Sequence, residues 1–257
     1  MERLSTGVPS LDKLIEGGIP RGFMVAVVGE PGTGKTILCI HFINMGVLNE
    51  DKNIYVTTEE TRESIVNQAL QFGMDFRKAI EEGSLIIIDA LMGDDRWTLK
   101  YLDIDELINK VLEAKKELGY GKARLVIDSL SAFWLNKPAM ARQYSYTLKK
   151  VLSKWDFTTL AVSQYAITTM EAFGFGVEHV ADGIIRFRKS TRGNVLKRYV
   201  VIEKMRQTNH SLYLHEIHIV PGRGMIVTSP AVLRREDIAL PERVMKKIRE
   251  RREGEEL

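Results

Sequence analysis

Residues 23–36 read FMVAVVGEPGTGKT, an apolar run that passes directly into a glycine-rich stretch. The stretch Gly29–Thr36 matches the pattern GxxxxGK(S/T) at every fixed position. The apolar run predicts a buried strand, and the residues after Thr36 have helical spacing. In this strand–loop–helix order, backbone N–H groups surround a phosphate at a helix N-terminus, so residues 23–36 predict a phosphate-binding loop.

The loop is expected to bind the phosphates of ATP together with Mg²⁺. Lys35 would pair with the β- and γ-phosphates, and the hydroxyl of Thr36 would ligate the metal. The predicted nucleotide contacts in this loop are Gly29, Pro31, Gly32, Thr33, Gly34, Lys35, Thr36 and Ile37.

A loop of this kind also needs a carboxylate at the end of a neighbouring apolar strand, which holds Mg²⁺ through water. Asp89 follows the apolar residues LIII, and Asp128 follows LVI. We favour Asp128 because Ser129 and a strand–helix–strand segment ending in Gln164 come after it. Asp89 is interpreted as the end residue of an added strand.

Two adjacent acids, Glu59 and Glu60, follow the second predicted strand. They lie on the side of a parallel sheet where ligands bind, so they could orient or deprotonate the attacking water. Acidic residues in this position could equally begin a helix, where the helix dipole favours them. Position alone leaves both interpretations open.

Short β-branched runs alternate with longer amphipathic segments over the first two thirds of the chain. The predicted strands are 23–29, 53–58, 84–89, 124–128 and 157–163. The predicted helices are 36–48, 63–72, 105–118 and 139–154. This alternation predicts an α/β fold with a mostly parallel sheet between helices.

After residue 180 the predicted strands follow one another without room for helices, and they predict a C-terminal antiparallel extension. These strands are 183–189, 196–203, 212–220 and 225–228. We expect one domain over residues 1–232, followed by a polar, helical tail over residues 233–257.

The composition excludes several classes of protein. The chain has 257 residues, 44% of them hydrophobic, which argues against disorder, collagen and disulfide scaffolds. The single cysteine, Cys39, cannot form an internal disulfide and fits a reducing compartment. No apolar run approaches the roughly 20 residues of a membrane helix, so a cytoplasmic protein is expected. The net charge of +3 does not by itself indicate a nucleic-acid partner.

The sequence also contains several longer motifs. They are STGVPSLD (5–12), GGIPRG (17–22), EET (59–61), ALQFGMD (69–75), VIDS (126–129), SQ (163–164), ADG (181–183) and EKMRQTNH (203–210). Together these motifs resemble those of the KaiC-like ATPases of the RecA superfamily. The last motif separates KaiC-like proteins from most other P-loop ATPases. The whole also resembles single-domain archaeal paralogues of the RadA recombinase. The resemblance implies a RecA-like P-loop NTPase core.

The resemblance also implies catalytic roles. Glu59 and Glu60 would position water, and Gln164 belongs with them in the predicted catalytic set. Lys204 and Arg206 would reach across a subunit boundary to the neighbour's γ-phosphate, where charge accumulates in the transition state. The residues expected to line that shared site are Thr208 and His210. A nucleotide at a head-to-tail interface implies a homo-oligomer, either a ring or a filament.

The sequence departs from the family pattern in four ways. KaiC itself joins two such domains, and this chain has one. Val220-Pro221 stands where the family has Thr-Asp, which puts the nucleotide contacts of that turn in doubt. The helix-hairpin-helix DNA-binding domain of RadA recombinases and the two-cysteine zinc elements of some relatives are absent. A recombinase acting alone is therefore not expected.

The local charge near residue 190 raises the question of DNA. Eight basic residues and one acid lie between Arg186 and Arg206, downstream of a segment that carries Phe173 and Phe175. Those rings could stack on bases beside a basic wall, which is how single strands are bound. The predicted DNA contacts are Phe173, Phe175, Arg186, Arg188 and Lys189. A neighbouring subunit could instead order the segment, leaving the basic hairpin as a solvated strand pair.

Three functional hypotheses follow. In the first, the chain is a Mg-dependent ATP-binding protein with weak, assembly-dependent ATPase activity. It would act like a RadA paralogue, as an accessory factor that binds single-stranded DNA in recombination or repair, with the RadA recombinase as a partner. In the second, it is a regulatory ATPase or autokinase that acts through protein contacts. In the third, it binds ATP without turnover.

Overall fold

The computed structural model describes residues 1–90, 93–135, 137–164, 176–192 and 194–230. The predicted polar tail over residues 233–257 and the predicted DNA contacts Phe173 and Phe175 lie outside these ranges.

The strands and helices alternate along the described chain. The strands are β1 (Arg3–Leu4), β2 (Ile19–Pro20), β3 (Met24–Gly29), β4 (Lys52–Thr57), β5 (Leu85–Ala90), β6 (Thr98–Leu99), β7 (Ala123–Asp128), β8 (Phe157–Gln164), β9 (Gly183–Arg192), β10 (Val195–Met205), β11 (His215–Val220) and β12 (Gly224–Pro230). The α-helices are α1 (Pro9–Asp12), α2 (Lys35–Leu48), α3 (Arg62–Gln71), α4 (Phe76–Glu81), α5 (Ile104–Leu118), α6 (Ala141–Leu152) and α7 (Val177–Val180). Short 3₁₀ helices span Lys13–Ile15, Leu130–Trp134 and Pro138–Met140.

Ten of these strands form one sheet in the order β12-β11-β10-β9-β3-β8-β7-β4-β5-β6. The pairs from β9 to β6 are parallel. The pairs β9–β10, β10–β11 and β11–β12 are antiparallel. The predicted α/β fold, with a mostly parallel sheet and an antiparallel C-terminal extension, is therefore confirmed.

Both faces of the sheet are covered, as a continuous apolar strand such as β3 requires. Val25 and Val27 of β3 belong to a buried cluster that includes residues of α2, α3 and α4. Ala26 and Val28 belong to a second cluster, which includes residues of α5 and α6. The alternation follows from the pleat, because successive side chains point to opposite faces. No helix in the described ranges is long and apolar enough to cross a membrane.

The predicted starts of two elements lie two or three residues before the observed ones, for local reasons. The helix predicted from residue 139 begins at Ala141, because Pro138–Met140 forms a 3₁₀ turn before it. The strand predicted from residue 212 begins at His215. The residues before it form a loop, in which the Ser211 amide donates to the carbonyl oxygen of Leu14 at 2.9 Å.

Candidate nucleotide-binding site

The phosphate-binding loop connects the end of β3 to the start of α2, as predicted. Gly29 has a φ of +150°, and a Cβ at this position would collide with the carbonyl oxygen of Phe187 on β9. Gly34 precedes the first residue of α2 with a φ of +105°. A side chain would be strained at both positions, so the fixed glycines of the pattern are explained by the backbone.

The loop borders a cavity of about 390 Å³ at the carboxyl ends of the parallel strands. Its lining residues are Pro31, Gly32, Gly34, Lys35, Thr36, Ile37, Thr57, Glu59, Glu60, Gln68, Asp128, Gln164, Arg198 and Ile219. Six of the eight predicted loop contacts are among them. Of the other two, Gly29 ends β3, and Thr33 donates its hydroxyl to the carbonyl oxygen of Glu30 at 2.8 Å, within the loop.

Lys35 is almost completely buried at the base of the loop. Its ammonium donates to the carbonyl oxygens of Gly29 and Glu30, both at 2.9 Å. Burial lowers the pKa of Lys35, and the nearby charges of Asp128 and Glu59 oppose that shift. The Lys35 amine is thus near the carboxylates of Asp128 and Glu59, at the loop where a phosphate would bind.

The Thr36 hydroxyl donates to Oδ2 of Asp128 at 2.8 Å, and the Tyr55 hydroxyl donates to the same oxygen at 3.0 Å. Burial raises the pKa of Asp128, and these two hydrogen bonds act in the opposite direction. Asp89 lies elsewhere, at the end of β5, with its Oδ2 2.9 Å from Arg62. The structure therefore brings Asp128, and not Asp89, to the loop.

A hydroxyl and a carboxylate side by side are oxygen donors of the kind that Mg²⁺ prefers. No group of three His, Cys, Asp or Glu residues that could hold a metal ion exists in the described part of the chain. Mg²⁺ usually binds through one or two protein oxygens, substrate phosphates and water, so Thr36 and Asp128 fit this ion.

The two predicted glutamates have different surroundings. Glu59 is exposed, and its carboxylate accepts from the side-chain amide of Gln164, at the end of β8, at 2.5 Å. Glu60 is half-buried and is bound by α3: the Ser64 hydroxyl lies 2.5 Å from its carboxylate, and the amide of Gln68 also donates to it. All three predicted catalytic residues, Glu59, Glu60 and Gln164, line the cavity.

Two basic residues of the β9–β10 hairpin donate hydrogen bonds to backbone carbonyl oxygens of the phosphate-binding loop. Lys189 donates to the carbonyl oxygen of Pro31 at 3.0 Å, and Arg198 donates through Nε to that of Gly32 at 2.9 Å. The two residues are paired in register across the hairpin. The sequence predicts Lys189 as a DNA contact, whereas the structure shows it at the phosphate-binding loop. Arg198 belongs to none of the predicted sites. The alternation of faces along β9 was the available signal, because it separates Lys189 from Arg188.

The other two predicted DNA contacts that the structure describes, Arg186 and Arg188, lie on the opposite face of the hairpin. Arg186 donates to the carboxylate of Glu203, and Arg188 lies 3.8 Å from that carboxylate. Lys189 points to the loop instead. The described basic residues of β9 therefore do not form one continuous wall.

Lys204 and Arg206 lie at the other end of the sheet from the cavity. Met205 is paired with Gly183, and Gly183 is paired with Val25 near the start of β3. The Lys204 ammonium donates to the carbonyl oxygen of Ala181 at 2.6 Å. The loop follows β3, five residues or about 16 Å farther along. These two side chains are thus directed away from their own chain's nucleotide site.

Thr208 and His210 share the loop that follows β10 with Arg206. The Thr208 hydroxyl accepts from Arg3 of β1 at 3.0 Å, and Nδ1 of His210 lies 3.1 Å from the carbonyl oxygen of Ser211. The four residues that are predicted to act at a neighbouring subunit's nucleotide therefore lie at the same end of the sheet, and this end is opposite the cavity.

Known proteins are similar to this chain in sequence and in fold. The family described as "ATPase: KaiC" matches residues 4–232. The chain is 38% identical to a UPF0273 protein of Methanocaldococcus jannaschii over 243 residues, which are 91% of this chain and 99% of that protein. It is 37% identical to a UPF0273 protein of Pyrococcus furiosus over 243 residues, 91% of this chain and 97% of that protein.

A crystal structure of a KaiC-like protein from the hyperthermophilic archaeon Pyrococcus horikoshii superposes with a TM-score of 0.75 at 31% identity. The match covers 89% of this chain and 99% of that one. With the family match over most of the chain, the sheet order and the loop geometry, this similarity confirms the predicted resemblance. The chain belongs to the KaiC-like ATPase family of the RecA superfamily.

Proposed function

We propose that this chain binds Mg·ATP in the cavity at the phosphate-binding loop and hydrolyses it slowly when chains assemble. The observation that carries the proposal is the contact between Thr36 and Asp128, which lies beside Lys35 and Glu59 in one cavity. Two candidate metal ligands, a candidate phosphate-binding cation and an acid thus line one cavity, and they come from three separate segments: the start of α2, the end of β7 and the residues after β4.

Thr36 would ligate Mg²⁺ directly, and Asp128 would hold it through water. The Mg²⁺ held by these two residues would supply positive charge to offset that of the β- and γ-phosphates. Lys35 would exchange its two carbonyl partners for phosphate oxygens, which form stronger, charge-assisted hydrogen bonds. Burial of Lys35 strengthens that interaction, because little water competes with the phosphate.

Glu59 is the better placed of the two glutamates to orient the attacking water. Its carboxylate is exposed to the cavity, and Gln164 fixes it from the neighbouring β8. Glu60 is already bound by two side chains of α3, so its carboxylate has less freedom to accept a proton from water. Both remain in the predicted catalytic set, since both line the cavity.

Hydrolysis is proposed to depend on assembly because Lys204 and Arg206 lie about 16 Å, measured along β3, from the phosphate-binding loop of their own chain. Cations from a second copy could reach this cavity only in a head-to-tail contact, which gives a ring or a filament. Full activity would therefore depend on chain concentration.

The test measures phosphate release from Mg·ATP over a range of protein concentrations, with molecular mass determined in parallel. We expect turnover per chain to rise as oligomers form, and Lys35→Ala and Glu59→Gln to abolish it. Tight ATP binding without phosphate release would indicate a protein that binds ATP without turnover. Transfer of label from γ-labelled ATP to the protein would indicate an autokinase. Absence of Mg·ATP binding would contradict the proposal.

Single-stranded DNA binding and a partnership with the RadA recombinase stay predictions. The described residues give DNA less support than ATP, because Arg186 and Arg188 are turned away from Lys189. Fluorescence anisotropy of a labelled single strand, with and without ATP, tests the idea. Salt-sensitive binding that is lost in Phe173→Ala and Phe175→Ala would support it, and absence of binding in both conditions would exclude it.

A further inference from the structure

We propose that Arg62 is a positioning residue for ATP hydrolysis, which fixes the glutamate loop (Thr58–Thr61) through an ion pair with the buried Asp89. This inference rests on the proposed function, since it assumes that Glu59 and Glu60 take part in ATP hydrolysis. It adds a residue that lies outside the cavity and touches neither nucleotide nor metal in the proposed site.

Arg62 is the first residue of α3, and its guanidinium joins two acidic side chains. Nη2 lies 2.9 Å from Oδ2 of Asp89, and Nη1 lies 2.6 Å from Oδ2 of Asp95. Nη2 also lies 3.0 Å from the second carboxylate oxygen of Asp95, so that contact is bidentate. Bidentate pairs fix the orientation of the guanidinium as well as its position.

The Asp89 side of this ion pair is held in the sheet. The residue is only 4% exposed, and it is paired in register with Thr57, the last residue of β4. The Thr57 hydroxyl in turn donates to the carbonyl oxygen of Glu60 at 2.8 Å and accepts from its amide at 3.3 Å. The ends of β4 and β5 thus fix the glutamate loop at Glu60 and, immediately after the loop, at Arg62.

Between these two attachments the chain has little freedom. Thr61 caps α3 by accepting from the Ser64 amide at 3.1 Å, and Ser64 and Gln68 bind the carboxylate of Glu60. Displacement of the first turn of α3 would therefore displace Glu60 directly and Glu59 through the backbone. A catalytic group misplaced by 1 Å can cost about 100-fold in rate.

Removal of the arginine would also leave the Asp89 carboxylate buried without its cation. Loss of one partner of a buried pair is costlier than loss of an exposed pair. The chain offers an exposed pair for comparison: Arg77 of α4 lies 2.7 Å from Glu63 of α3, with both side chains more than half exposed. Arg77→Ala is therefore a matched control, because its ion pair also involves the first turn of α3 but lies away from the cavity.

The first experiment compares Arg62→Ala with Arg77→Ala by steady-state ATP hydrolysis and by equilibrium Mg·ATP binding. We expect Arg62→Ala to lower kcat about 10- to 100-fold while the Kd for Mg·ATP changes less than about threefold, because the phosphate-binding loop is untouched. Arg77→Ala should match the wild type in both. An equal loss of binding and kcat, or no loss of kcat, would overturn the proposal.

A double variant shows whether Arg62 acts through Glu60. In a Glu60→Gln background, Arg62→Ala should cost less than threefold, since the group it positions is already impaired. If the two losses multiply, the action of Arg62 through Glu60 is refuted. Arg62→Lys keeps the charge but not the two-pronged geometry, so it should give an intermediate kcat, and it replaces Arg62→Ala if that variant does not fold.

Hydrogen exchange separates this inference from the proposed function. The amides of residues 58–62 should exchange at least tenfold faster in Arg62→Ala than in the wild type, while those of residues 29–36 stay unchanged. A wild type that does not hydrolyse ATP would refute the proposed function and leave this measurement valid. Unchanged exchange at residues 58–62 would refute the role of Arg62 even in an active enzyme.

Discussion

The hydroxyl of Thr36 donates to the carboxylate of Asp128 at 2.8 Å, across 92 residues of sequence. The contact joins the first turn of α2 to the last residue of β7. It forms because β7 lies two strands from β3 in the parallel sheet, so both strands end at the same edge. The two candidate ligands of Mg²⁺, one on α2 and one on β7, are thus brought together by the strand order of the sheet.

Asp128→Asn should weaken Mg²⁺-dependent ATP binding and hydrolysis about 10- to 100-fold, as is usual when a group that orients a metal's shell is neutralised. The measurement is the Kd of ATP at increasing Mg²⁺ concentration. Asp89→Asn is the comparison, and it should leave this Kd unchanged because Asp89 pairs with Arg62 outside the cavity. The assignment fails if the two variants show the reverse effects.

Arg206→Ala should lower assembly-dependent hydrolysis by about 10³-fold, since a cation supplied in trans stabilises charge on the γ-phosphate. Lys35→Ala should be inactive because its own site cannot hold phosphate. Mixed oligomers of the two variants contain interfaces with an intact loop on one chain and an intact Arg206 on the other. Recovery of activity on mixing is therefore expected, once subunit exchange has been demonstrated with differently labelled chains. Exchange without recovery would contradict the trans role.

Lys189→Ala should weaken ATP binding about tenfold, because the loop loses a charge-assisted hydrogen bond at Pro31 and the site loses a cation. Arg188→Ala is a matched control, since Arg188 is the adjacent residue and faces the opposite side of β9. It should leave the Kd of ATP unchanged. Equal effects of the two variants would indicate that only the net charge of the hairpin matters.

The buried strands and the phosphate-binding loop could be predicted because their signals are local. β3 and β7 are continuous apolar runs, and their predicted ends lie within one residue of the observed ones. The two-residue strands β1, β2 and β6 were not predicted, since so short a segment has no measurable periodicity. Local pattern therefore determines most of the parallel sheet.

The orientation of the hairpin could not be predicted in this way. Alternation along β9 shows that Arg188 and Lys189 face opposite sides, but the side that meets the loop depends on the pairing of β9 with β3. That pairing joins segments about 160 residues apart and leaves no local trace. The same limit applies to Arg62, whose partner Asp89 is defined by the register between β4 and β5.

His41 of α2 provides a prediction on stability. The residue is 5% exposed, and its Nε2 accepts from the amide of Met225 at 2.9 Å, which requires an unprotonated Nε2. Burial lowers the pKa of His41 to about 4, against 6.5 for an unperturbed histidine. Below pH 6.5 the unfolded chain therefore binds a proton that the folded chain excludes until pH 4.

The free energy of unfolding should consequently fall as the pH drops from 6.5 to 4, with a loss from this group of about 2 kcal/mol at pH 5. Above pH 6.5 the ring is neutral in both states and contributes no pH dependence. Urea unfolding of the wild type and of His41→Gln at pH 7 and pH 5 isolates the contribution of His41 to the pH dependence of the free energy of unfolding. His41→Gln should be less stable at pH 7, because packing is lost, but should lose about 2 kcal/mol less than the wild type between the two pH values. Equal losses in both proteins would show that His41 is protonated in the folded state.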